Sequence, residues 1–204
     1  MPRRPALTTA TAALCALTAL TACQGSPEAG QPNTTPTTTS PSTTATPTAP
    51  ATPTRPAAEQ AAITAAKARF VTASAAVDTA LNNPPVATEA KLLQAGVGGN
   101  WLIQVLGSVG FNKERGWYQD GKARVESMSV ASVKITGEQP EVRLNVCLDA
   151  SKISLRYLAT HKPVPVGPGT TGRSKVQAKL VYAPPVGQSK KMWFLIDQQD
   201  AGTC

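Results

Sequence analysis

Aromatic side chains are scarce in this chain: nine among 204 residues, and none before Phe70. Histidine is scarcer still, with His161 alone. Acidic residues number 12 against 20 basic ones, a formal net charge of +8. Each shortage excludes something. With no ring in the N-terminal third, only about 150 residues can build a core, which is one domain's worth, and an enzyme with a separate cofactor domain does not fit. A single histidine, with no Cys-x-x-Cys or His-Glu-x-x-His spacing, leaves no usual zinc site. Gly-x-Ser-x-Gly elbows and phosphate loops are also absent, as is any dinucleotide fingerprint set between a strand and a helix. The run from Gly167 to Gly172 reads as a loop, because no strand leads into it and no helix leaves it. No catalytic residue, cofactor or metal is therefore expected.

What is present begins with an address. Arg3 and Arg4 precede Ala6 to Ala22, an uncharged stretch of Ala, Leu and Thr with Cys15. A basic end, a short apolar run and small residues make an export signal. The stretch is too short and too weakly apolar for a permanent span, which needs roughly 20 strongly apolar residues. It ends in Leu20-Thr21-Ala22-Cys23. This tetrapeptide resembles a bacterial lipobox. The resemblance implies a signal peptide over 1–22 and a Cys23 that carries diacylglycerol, with fatty chains such as palmitate, as the first mature residue. Two acyl chains hold a protein on a bilayer stably. The expected location is the extracytoplasmic face of a cell membrane, anchored rather than spanning. No apolar motif follows Arg3-Arg4 directly, so the general secretory route is expected.

After the lipidated Cys23, Gln24 to Pro56 holds 11 Thr and 8 Pro among 33 residues, with no aromatic, Leu, Ile or Val. Such a segment buries too little to offset the entropy of ordering, so 23–56 reads as a disordered Thr/Pro-rich linker. Extended at about 3.1 Å per residue, it reaches on the order of 100 Å.

The domain runs over 57–204. Ile63, Ala66, Phe70, Ala73, Val77 and Leu81 keep the spacing of one buried helical face, and Asn82-Asn83-Pro84-Pro85 stops that helix. A shorter helix is predicted from Thr88, its N-cap, to Ala95. A third starts at Asn100, with Trp101, Val105 and Val109 spaced by four, and is broken at Gly110 and Gly116. The period then becomes two, giving strands over Lys122–Thr136, Glu141–Asp149, Ser174–Tyr182 and Lys190–Gln198. The first carries a bulge between Val130 and Val133, where its apolar face changes register. The last is apolar on both faces and should be central or well covered. Tight turns at Gly137–Pro140 and Pro184–Gly187 make hairpins. The fold class is α+β: N-terminal helices packed on a curved four-stranded antiparallel sheet.

That element order, the segment Trp117-Tyr118-x-Asp120-Gly121, and Val146-Cys147-Leu148-Asp149-Ala150-Ser151 resemble small actinobacterial lipoproteins and secreted proteins of the nuclear transport factor two superfamily. The resemblance implies a cone-shaped sheet wrapped by helices. That superfamily hosts enzymes, binders and scaffolds alike, so it implies no activity.

Cys15 leaves with the signal and Cys23 is lipidated, so Cys147 and Cys204 remain in an exported domain and are expected to pair. Candidate pocket residues are Trp117, Tyr118, Asp120 and Asp149. The rings line a ligand mouth or plug the helix-to-sheet corner, with the corner preferred. Asp149-Ala150-Ser151 reads as turn chemistry. His161 falls in the Pro/Gly-rich connection Ala150–Gly172 and reads as a solvated loop residue without a fixed partner. Asp149 and Asp120 are the only carboxylates placed to orient it.

Without Arg3 and Arg4 the chain has 18 basic and 12 acidic residues. That excess is spread rather than clustered, which argues against nucleic acid and fits unspecific attraction to anionic lipid or wall polymer. The expected function is a non-enzymatic binding or scaffold domain, held by acylated Cys23 at the cell envelope, whose partner is an envelope polymer or a membrane protein. The alternatives are a small cone-pocket hydrolase or isomerase acting on an exported metabolite, and a subunit of a secretion or conjugation complex.

Overall fold

The computed structural model describes residues 55–165 and 172–204. The expectations for the signal, Cys23, the linker and most of the Gly167–Gly172 run lie outside these residues.

Helix α1 spans Ala57–Asn82 and buries Ile63, Ala66, Phe70, Ala73 and Val77, the predicted stripe, while Leu81 is half-buried. It stops where expected. The Asn83 N–H still donates to the Thr79 carbonyl at 3.2 Å, and Pro84 then opens a 3-10 turn through Val86. Helix α2 (Glu89–Ala95) is capped by Thr88, whose Oγ1 accepts from the Lys91 N–H. It ends at Gly96, in the left-handed region with φ 90°.

Helix α3 runs over Gly99–Arg115, straight through Gly107 and Gly110. The break expected at Gly110 does not occur. Each interior glycine costs about 1 kcal/mol relative to Ala. Burying Leu102, Val105 and Val109 on the sheet-facing side offsets this, at about 1.5–3 kcal/mol for each such side chain.

Four strands form one antiparallel meander in the order β2 (Arg124–Lys134), β3 (Glu141–Asp149), β5 (Arg173–Ala183) and β6 (Met192–Asp200). The predicted strands are recovered, Glu141–Asp149 with both ends as expected and the others with ends shifted by one to two residues. The expected bulge is a register shift between Val130 and Ser132, and a second lies between Val125 and Ser127. Val142, Leu144 and Val146 of β3 point to the helices and are fully buried. Strand β6 is an edge, not central, yet its Trp193, Phe194 and Leu195 are buried. The α2–α3 turn covers that edge: the Leu195 N–H donates to the Gly96 carbonyl and the Gly98 N–H to the Leu195 carbonyl.

The sequence reading missed a two-stranded ribbon of β1 (Trp117–Asp120) against β4 (Ser154–Tyr157). Four residues are too few for a period of two to show. Gly121, with φ 99°, takes the chain from β1 toward β2, and a Cβ there would collide with the Lys152 carbonyl. The architecture is thus α+β, three helices on antiparallel sheets of two and four strands, with no closed barrel among the described residues.

Cys147 and Cys204 form a disulfide with Cα atoms 5.9 Å apart. Past β6 the tail keeps pairing with β5, through Lys175 N–H to the Gly202 carbonyl and Ala201 N–H to the Lys175 carbonyl, before it reaches Cys147. Cys147 alternates with buried Val146, so the bridge lies on the sheet face turned away from the helices.

Candidate functional site

The four pocket candidates do not converge. Asp149 ends β3 in the large sheet and Asp120 ends β1 in the ribbon. Asp149 accepts from the Ser151 N–H at 2.9 Å, the turn chemistry expected of it, and faces Arg124 at 3.4 Å. The Ser151 hydrogen bonds, joined by Arg124 and Arg173, hold its carboxyl below the ordinary aspartate value. Asp120 is exposed and accepts from Arg156 Nε at 2.7 Å. Neither carboxylate is a buried acid or base.

His161 departs from its expected solvated freedom. It is exposed, but its Nδ1 lies 3.0 Å from the Tyr118 hydroxyl, and its backbone takes the left-handed φ of 55°. The connection holding it is ordered by pairing: His161 N–H donates to the Tyr157 carbonyl, Tyr157 N–H to the Lys162 carbonyl, and Val164 N–H to the Leu155 carbonyl. Neither suggested carboxylate orients the imidazole. Arg156 stands between, donating from Nε to Asp120 and from Nη1 to the His161 carbonyl.

Trp117 neither plugs a corner fully nor lines an enclosed mouth. Half-buried, it meets Phe111 edge-to-face at 5.8 Å between centroids and Tyr157 at 6.3 Å. The Arg115 guanidinium lies 4.5 Å above the Phe111 ring and 5.2 Å above that of Trp117. Phe111 remains 48% exposed and Tyr157 36%. The elements explain the cluster. Phe111 and Arg115 are four apart on one face of α3, Gly116 ends the helix with φ 64°, and β1 starts at once, carrying Trp117 opposite Tyr157 of β4. Beside this cluster opens a cavity of about 530 Å³ lined by Arg115, Tyr157, Leu158, Thr160, Lys162 and Pro163, among others.

The sequence reading missed Asp78. This α1 carboxylate is 7% exposed and accepts from Gln119 Nε2 at 2.8 Å and the Ala123 N–H at 3.2 Å. Desolvation by burial pushes its pKa up, against the downward pull of Gln119, Ala123 and Lys122. It borders a cavity of about 70 Å³ shared with Ser74, Trp101, Val125 and Gln198. The indole Nε1 of Trp101 is buried without a partner. The available signal was positional: Asp78 follows Val77 on the edge of the apolar stripe, where an unpaired acid is rare.

Asp78 gives a pH prediction. A folded pKa raised above the unfolded one makes the group's contribution fully present below the unfolded value and lost as pH rises through the folded value. As pH rises above about 4, the ordinary aspartate range, Asp78→Asn should therefore flatten the fall in stability relative to the wild type. Thermal melts of both proteins across that rise check this; parallel curves would contradict it.

Among the described residues, no group of three or more His, Cys, Asp or Glu is placed to hold a metal ion. No family model matches the sequence, and no curated protein matches it. Twelve chains of solved structures do match. One is the intermembrane space region of chloroplast protein ARC6, at 12% identity over 71% of this chain and 97% of that one, with a TM-score of 0.48. A likeness this distant carries no argument about function.

Proposed function

We propose that the chain is a lipid-anchored extracytoplasmic module of the envelope, of the cone-superfamily lipoprotein type, that recognises its partner through a surface rather than transforming a substrate. The observation that carries the reading is the Phe111–Arg115–Trp117–Tyr157 cluster, with Arg115 over the Phe111 and Trp117 rings and Tyr157 edge-on to Trp117 at the surface. Aromatic and arginine side chains supply most of the binding energy where partners meet, and exposed apolar patches of this kind mark interaction sites. The ion pair of Asp120 and the turn bond of Asp149 support it, since both carboxylates serve structure. The Cys147–Cys204 bridge suits an oxidising compartment. No helix among the described residues is long and apolar enough to cross a membrane, and the proposed attachment is Cys23.

Anchoring is tested first. Cys23→Ala should abolish fatty-acid labelling and leave an uncleaved precursor or a mislocalised chain, read by metabolic labelling and membrane fractionation. A mutant that still incorporates label and sediments with membranes would end the lipobox reading.

One observation favours the cone-pocket enzyme as a second reading: Asp78, with its raised pKa, beside a cavity. Such tuning is usual for a general acid or base. Two inward hydrogen bonds and room for only a few atoms favour the structural role, and therefore the binder.

A further inference from the structure

We propose that the cavity at the C-terminal end of α3 binds phosphate groups, and that its occupant is a phosphodiester-linked polyol or sugar chain of the envelope. The choice of an envelope polymer rests on the extracytoplasmic reading above; the phosphate chemistry stands on the site.

Arg115 decides the chemistry. Every other arginine among the described residues is engaged. Arg55, Arg124, Arg143, Arg156 and Arg173 pair with carboxylates, and Arg69 donates to the Ala95 carbonyl. Among the described residues Arg115 has no hydrogen-bond or ion-pair partner, yet it is held in place between the Phe111 and Trp117 rings. A guanidinium fixed by stacking keeps its planar fork of N–H donors free and preorganised for two oxygens of one anion. Lys162, on the same cavity, likewise has no carboxylate partner among the described residues, and no Asp or Glu lines the cavity.

Arg115 and Lys162 border one space, and a phosphodiester holds its anion in mid-chain, so its two non-bridging oxygens can meet the guanidinium fork while the carbon groups on either side meet the wall. The α3 C-terminus opposes an anion with roughly half a negative charge. Two full positive charges outweigh it. Leu158, Pro163 and the Tyr157 ring supply apolar wall for the carbon face of a polyol or sugar. Because the cations are exposed, binding should weaken as salt rises.

The test is calorimetric titration of the full chain, in nonionic detergent micelles, with glycerol 3-phosphate and with a short poly(glycerol phosphate). Malonate serves as the carboxylate control. Separate arms use phosphatidylglycerol and phosphatidylcholine vesicles. Saturable binding is expected for both phosphate probes, tighter for the polymer, and weaker for malonate. Arg115→Gln should weaken it at least about tenfold, with smaller losses for Arg115→Lys and Lys162→Gln. Arg143→Gln, on the large sheet, should leave it unchanged. Equal binding by Arg115→Gln and wild type, or no saturation, would overturn the site. Binding confined to phosphatidylglycerol vesicles would overturn the polymer. Neither result depends on whether Cys23 is acylated, so this proposal and the anchoring fail separately.

Discussion

Phe70→Ala is expected to lower the stability of the domain by about 3–5 kcal/mol, the usual cost of emptying a fully buried aromatic site. Phe70 is 0% exposed on the inner face of α1 and belongs to the core that joins Val105 and Val109 of α3 to Val142, Leu144 and Val146 of β3. No water replaces the lost contacts cheaply, and the surrounding helices and sheet relax only in part. For a domain of this size the melting temperature should fall by about 10–15 °C. Ile103→Ala is the control: Ile103 is 69% exposed, and its truncation should stay within about 0.5 kcal/mol. Calorimetry on both variants checks the pair, and similar losses at the two sites would contradict the assigned core.

Opening the Cys147–Cys204 bridge should have an effect of the same order. The two cysteines are 57 residues apart, and closing a loop of that length removes about 4 kcal/mol of unfolded-state freedom in the chain-entropy model. Against a typical total of about 5–15 kcal/mol, this is a large share. The bridge also pins the tail beyond β6, where Ala201 and Gly202 still pair with Lys175. Cys147→Ser/Cys204→Ser should therefore melt about 10 °C lower, with amide exchange rising first at Ala201 and Lys175. Two titratable thiols in unreduced protein, or a melting point within a degree of the wild type, would contradict the bridge.

Much of the fold was legible because its signals are long. The stripe from Ile63 to Val77 repeats over about four helical turns, and Val142, Leu144 and Val146 alternate cleanly with polar neighbours. Pro84, Gly96 and Gly116 punctuate where their backbones demand it. Gly110 misled because local propensity is weaker than burial of the opposite face of α3. Strands β1 and β4 were illegible because a four-residue ribbon has no period. The site suffered from the same gap. Trp117 and Tyr118 stand out in the sequence, but what surrounds Trp117 is Arg115 and Phe111 from α3 and Tyr157 from β4, brought together only by a ribbon that the sequence does not reveal. Asp120 and Asp149 drew attention as carboxylates near motif residues, whereas the acid that is buried, Asp78, sits in a helix that read as plain core.

Recognition by the Phe111–Arg115–Trp117–Tyr157 surface is tested most directly by removing Cys23, the proposed lipid site, and asking whether the domain still holds. The chain from Gln24, exported through an ordinary cleavable signal, has no acyl anchor, so retention then reports the domain alone. Quantitative immunoblotting of envelope and medium, at low and high salt, is the measurement. The wild-type domain should remain with the envelope at low salt and be released by high salt, and an Arg115→Gln/Trp117→Ala variant should appear in the medium at both. A wild-type domain that enters the medium as freely as the variant, or a variant retained as well as the wild type, would contradict it.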